Sequence, residues 1–101
     1  MTRLIVTADA EADTNRILDY LAREAGQSVA DDYGRRFQTT IKRLVRMPGS
    51  GPPRRALGPA AHIAIVYPYI LIYDYVPEDD AITLLRILHG RRNITRDLLN
   101  R

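Results

Sequence analysis

The run Leu84-Leu85-Arg86-Ile87-Leu88-His89-Gly90-Arg91-Arg92 constrains this chain more than any other stretch. Its Leu and Ile residues, bounded by Asp79-Asp80 and Gly90, read as a strand covered on both faces. A guanidinium in the middle of such a strand needs a partner or an opening to water, so Arg86 is the first residue to explain. Two-residue alternation puts Arg86 on one face with Ile82, Leu84 and Leu88, and His89 on the other with Leu85 and Ile87. Only a bulge near Gly90 would bring the two to one side. Two readings of Arg86 stay open: it projects into a groove to hold a phosphate or carboxylate, or it pairs with a sheet or loop acid such as Asp74.

That strand is the last of three, His62–Val66, Tyr69–Val76 and Ala81–His89, separated by Tyr67-Pro68 and by Pro77-Glu78-Asp79-Asp80, and the spacing predicts an antiparallel meander. The middle strand is apolar on both faces and belongs at the centre of the sheet. Upstream, Arg3 to Thr7 predicts a short strand ending in a Thr7-Ala8-Asp9 helix cap. Ala10 to Ala25 has Ile17, Leu18, Leu21 and Ala25 at helical spacing and Gly26 to end it. Ser28-Val29-Ala30-Asp31, a capping box with Asp for Glu, opens a second helix with the stripe Val29, Tyr33, Phe37, Ile41, Leu44 and Val45, stopped by Pro48. So little chain separates the helices that they form an antiparallel hairpin, with Gly34 placed for close packing. Pro48 to Pro59 is loop by composition, long enough to point to either a function or an ordered surface excursion. Ile94 to Arg101, capped by Thr95 and anchored only by Leu98 and Leu99, reads as a short, frayed helix.

The expected fold is α+β in the order β-α-α-β-β-β, one domain over residues 1–101, with the helix hairpin on one sheet face. The other face is then left to form a concave surface or accept another chain. A chain of 101 residues without cysteine has no disulfide or thiolate chemistry, and two histidines with no carboxylate at ligand spacing argue against a metal. No cofactor is expected. With no signal peptide and no apolar run of about 20 residues, the expectation is a soluble cytoplasmic protein. The net charge of +3 conceals segregation: Arg35, Arg36, Lys42, Arg43, Arg46, Arg54 and Arg55 occur without an intervening acid, whereas Asp9 to Asp32 is acid-rich. Such a face is either solvated or attracts nucleic acid or an acidic protein.

Residues for chemistry are few. His89 has the pKa range for proton transfer but is more simply a hydrogen-bonding strand-end residue. Arg91 and Arg92 follow a flexible Gly90 and suit anion contact or solvated loop equally. Tyr67, Tyr69, Tyr73 and Tyr75 read mostly as core residues with wet hydroxyls. There is no Gly-rich phosphate loop, nucleophile elbow or pair of catalytic carboxylates. The residues by themselves describe a basic α+β binding domain.

The element order, Leu44-Val45-Arg46-Met47-Pro48 with its glycine loop, Tyr67-Pro68-Tyr69-Ile70-Leu71-Ile72-Tyr73, and Leu85-Arg86-Ile87-Leu88-His89-Gly90-Arg91-Arg92 together resemble the ParE/RelE toxin superfamily of type II toxin-antitoxin systems, most closely the ParE branch. The resemblance implies a cytoplasmic growth inhibitor, of the kind tied to plasmid stabilisation, that acts on DNA gyrase without catalysis of its own. It also implies a ParD-like antitoxin whose disordered C-terminal segment wraps the toxin. On that reading Arg86, His89, Arg91, Arg92 and Tyr73 meet the target, and Arg35, Arg36, Phe37, Arg43 and Arg46 meet the antitoxin; direct nucleic-acid binding stays open. The RelE alternative, a ribosome-dependent messenger RNA endonuclease, would draw on Arg86, His89, Arg54 and Arg55. It lacks the late aromatic of many such enzymes, since residues 89–101 contain none. A third alternative is a non-toxic interaction module of the same fold.

Overall fold

Thr7 joins the first strand to the first helix and both to the sheet. Its extended backbone ends β1 (Arg3–Val6), its Oγ1 accepts the Ala10 N–H at 3.0 Å to cap α1 (Ala8–Ala25), and the same hydroxyl donates to the Leu85 carbonyl at 2.9 Å. The computed structural model describes residues 2–101. α2 (Gln27–Arg46) follows after one residue: Gly26, at φ 103°, donates to the Leu21 carbonyl and accepts from Ala30 N–H. The positive φ lets Gly26 end one helix and begin the next. Helix two therefore starts before Ser28, and the expected Ser28 capping box is replaced by Gly26 as N-cap. Gly34 is not required for close packing either, since an added Cβ would meet Leu18 Cδ1 at an ordinary 3.8 Å.

β2 (Ala61–Val66), β3 (Tyr69–Val76) and β4 (Ala81–His89) form the expected antiparallel meander, and β1 adds to β4 in parallel, giving the order β1-β4-β3-β2. β3 is interior as expected. Helix residues Ala10, Phe37 and Leu44 bury against Val66, Leu71, Tyr73 and Ile82 on one sheet face. The Phe37 ring meets Tyr69 edge-on at 5.7 Å, as does Tyr33.

The alternation expected for β4 is broken by a bulge. Tyr73 pairs with Leu84 and Ile72 with Arg86, so Leu85 is an extra residue. Leu84 and Ile87 consequently both face the helices, while Leu85 and Leu88 face away. Arg86 thus leaves the face of Ile82 and Leu84. His89 lies with Ile87, its ring edge-on to Tyr69, so Arg86 and His89 remain on opposite faces.

The second sheet face is not left open for another chain along most of its area. Leu57 from the long loop and Ile94, Leu98 and Leu99 from the C-terminal segment cover Ala61, Ile63, Ile72 and Leu88. The tail is a 3₁₀ turn over Arg96–Leu99 and is not frayed. Arg101 pairs with Asp74 and donates to the Leu57 carbonyl at 2.9 Å, and Arg86 donates to the Leu98 carbonyl at 2.9 Å. These polar anchors add to the two leucines that the sequence offered.

Candidate functional site

Arg86 is spent on the fold. β1 ends opposite Leu84, Thr7 Oγ1 takes the Leu85 carbonyl, and beyond it α1 crosses the outer edge of β4 with Asp13. The Asp13 carboxylate is 1% exposed and accepts from the Ile87 N–H at 3.0 Å, from Arg86 Nε at 2.6 Å and Nη2 at 2.9 Å, and from Arg16. A side chain thereby satisfies the strand donor that a longer β1 would have taken. Burial alone would raise the Asp13 pKa, but the bonds from Arg86 and Ile87, the Arg86 charge and the Arg16 bond outweigh it and hold the carboxyl below its usual range. In return, Asp13 raises the Arg86 pKa, against the effect of burial. The acid that partners Arg86 is thus Asp13, not Asp74, which pairs with Arg101. Asp13 was legible only in hindsight: with Ala10 and Ile17 it falls on the buried stripe of α1, where a lone acid calls for a partner.

Beyond the bulge β4 ends at the β2–β3 turn, and here the free cations gather. Gly90 N–H donates to the Pro68 carbonyl at 2.8 Å, and His89 Nδ1 accepts the Arg91 N–H at 3.1 Å. Arg91 and Arg92 are exposed and make no ion pair among the described residues. Arg91 lines an apolar groove of about 570 Å³ together with Ile65, Tyr67, Tyr69, Ile70 and His89. Tyr67, read from sequence as one of a mostly buried set, is 82% exposed, and Ile65 is 60% exposed.

Of the other expected site residues, Tyr73 and Phe37 are in the core, with 0% and 2% exposure and so almost no surface to offer a partner. Tyr73 instead holds the long loop: its hydroxyl donates to the Pro48 carbonyl at 2.9 Å and accepts the Gly51 N–H at 3.1 Å. Burial pushes its pKa up, against the Gly51 bond and the Arg43 charge. Gly51 is required there, because a Cβ would collide with the Ile63 carbonyl and the Tyr73 hydroxyl. The loop then runs along the outer edge of β2, with Ile63 N–H donating to Pro52 at 3.1 Å and Arg54 N–H to Ala61 at 2.8 Å.

That route separates the residues a nuclease would combine. Arg54 is tied at the Ala61 end of β2, opposite Asp74, while His89 pairs with Tyr69. Five strand positions along β3 make about 17 Å between them. Arg35, Arg36, Arg43 and Arg46 do form one exposed stripe on α2. Arg36 pairs with Asp32 at 3.0 Å and lies over the Tyr33 ring, with 5.0 Å to its centroid. Between this stripe and β2 is a second groove, about 500 Å³, lined by Tyr33, Arg35, Arg36, Thr39, Ile65 and Tyr67 among others.

Comparison with known proteins bears on the same geometry. The solved structure described as "Chromosomal ParDE TA system from P. aeruginosa" matches with a TM-score of 0.73 at 22% identity, covering 88% of this chain and 96% of the other, which establishes the fold. Toxin ParE3 of Caulobacter vibrioides is 31% identical over 98 residues, 97% of this chain and 96% of the relative. The family model described as ParE toxin of type II toxin-antitoxin system, parDE, matches residues 4–94, a span that includes both the Asp13–Arg86 pair and the cationic strand end, and the chain belongs to that ParE toxin family.

Proposed function

We propose that this protein inhibits growth by binding DNA gyrase in the cytoplasm through His89, Arg91 and Arg92, and that a ParD-like antitoxin neutralises it. The observation that carries the reading is the division of labour among the arginines. Arg86 is 15% exposed and bound to Asp13, whereas Arg91 and Arg92 are exposed and Arg91 lines an apolar groove. A cationic, partly apolar surface without an assembled acid-base set suits a protein contact better than phosphodiester cleavage, which needs proton transfer as well as charge stabilisation. Arg86 and Tyr73 serve the site from behind, one fixing β4 and the other fixing the loop beside β2.

The antitoxin platform is the α2 stripe of Arg35, Arg36, Arg43 and Arg46 with its groove. A disordered acidic segment that folds on contact would bury apolar surface there and complement the cations. Phe37 supports that groove from the core.

The test is gyrase supercoiling and DNA cleavage with purified protein, beside a ribosome-dependent message-cleavage control. Accumulation of cleaved gyrase–DNA complex, abolished by antitoxin and absent with the Arg91→Ala, Arg92→Ala double variant, is expected. Cut message with unaffected gyrase would overturn the reading.

A further inference from the structure

We propose that the β2–β3 turn is the gripping surface of the toxin: Ile65 and Tyr67, beside His89 and Arg91, take an apolar side chain flanked by carboxylates from the protein that the toxin inhibits. This rests on the toxin reading above but not on gyrase being the target.

Two large apolar side chains at 60% and 82% exposure, one residue apart, stand out on a hairpin whose other strand residues are buried or half-buried. They line the 570 Å³ groove together with His89 and Arg91. Among the described residues no carboxylate lines that groove or its neighbour, while Arg91 lines the first and Arg35 and Arg36 line the second. Asp32 pairs with Arg36 at 3.0 Å and approaches Arg35 at 3.8 Å, so Arg91 is the cation beside the turn without an ion-pair partner among the described residues. A cationic rim around an apolar centre selects an acidic rim around an apolar anchor.

The turn is also held ready. The Tyr33 hydroxyl donates to the Tyr67 carbonyl at 3.3 Å and Gly90 N–H to the Pro68 carbonyl at 2.8 Å, so little order has to be gained on binding. Along the edge of β2 the long loop satisfies Ala61 and Ile63 but stops before Ile65. By antiparallel alternation, Ile65 points its N–H and C=O outward like Ile63, and it gives an extended partner segment a place to bond. The target is favoured over the antitoxin as occupant because the groove is continuous with His89 and Arg91, the strand end assigned to the target.

The experiment uses the Ile65→Ser, Tyr67→Ser double variant, expressed in cells lacking the antitoxin. Both side chains are exposed, so melting should be unchanged, while growth arrest should require at least about tenfold more toxin. Ile65 and Tyr67 also line the α2 groove given to the antitoxin, so antitoxin affinity should fall as well, but by a clearly smaller factor than toxicity. Undiminished toxicity of the folded variant would overturn the proposal, and so would an equal loss of antitoxin affinity, which would give the turn to the antitoxin. A second pair tests the charge argument independently. Ile65→Asp should lose more toxicity than Ile65→Lys, and equal or reversed effects would remove the carboxylate-bearing partner. Growth reads this surface whatever the target is, so a wild-type toxin that arrests growth and leaves gyrase untouched refutes the gyrase assignment alone.

Discussion

Arg86 and the Arg91–Arg92 pair lie a few residues apart in one segment, yet the first is 15% exposed and belongs to the core while the others are exposed. Nothing in the residue type distinguishes them. The difference comes from what the topology brings opposite each one. β1 stops at Val6, α1 passes the open edge of β4 with Asp13, and a guanidinium at that point finds a buried carboxylate. At Gly90 the chain is tied to the turn by its backbone, and beyond it neither arginine makes an ion pair among the described residues. An arginine is structural here where a second element arrives to meet it, and available for recognition where none does.

The sharpest way to break that contrast is to remove the buried pair. Arg86→Ala leaves Asp13 buried beside one exposed arginine and one N–H, and Asp13→Ala strands the Arg86 guanidinium; either should cost about 3–5 kcal/mol by chemical denaturation. If Arg86→Ala costs no more than Arg91→Ala, the distinction fails. Acid should have a related effect. The Asp13 pKa is lower folded than unfolded, so its contribution is fully present above the unfolded value of about 3.9 and is lost as pH falls through the folded value. Stability of the wild type should therefore decline on acidification below pH ~4 more steeply than that of Asp13→Asn, as read by midpoint against pH.

Much of the fold was legible because the apolar patterns were unambiguous: the meander from three strand runs, and the helix hairpin from two stripes separated by Gly26. What the patterns could not carry was the phase of β4. A single extra residue at Leu85 reverses every face after it, and alternation has no means of marking where it occurs. The partner of Arg86 was hidden for a related reason, since Asp13 is 73 residues away and its carboxylate reaches β4 only where β1 is too short. Tyr73 and Tyr67 show the same limit at the site. Both sit in one tyrosine-rich run, but Tyr73 lies inside the sheet and Tyr67 at its turn, and exposure separates a loop anchor from a surface residue.

Arg101 should fall between the two classes. It is partly buried, pairs with Asp74 and donates to the Leu57 carbonyl, and it ties the C-terminal turn over Ile72 and Leu88. Because both partners keep some contact with water, Arg101→Ala should cost about 1 kcal/mol, less than the Arg86 substitution. Hydrogen exchange should show faster opening at residues 96–100 with the β4 amides still protected. A loss as large as that of Arg86→Ala would mean that the tail, rather than the Asp13 pair, dominates the stability of this sheet face.

The smallest stability effect belongs to Arg91→Ala and Arg92→Ala, and it gives the comparison its functional content. Neither side chain has an ion-pair partner to strand among the described residues, so each substitution should change unfolding free energy by no more than about 0.5 kcal/mol. The Arg91 N–H to His89 bond uses the backbone and survives the change. A large loss of toxicity in the double variant at unchanged stability would then separate recognition from folding within one short segment. Arg86→Ala cannot make that separation, because it also removes the support beneath the site. If Arg91→Ala and Arg92→Ala instead destabilise the fold by more than about 1 kcal/mol, the strand end is itself structural and the division drawn at Gly90 disappears.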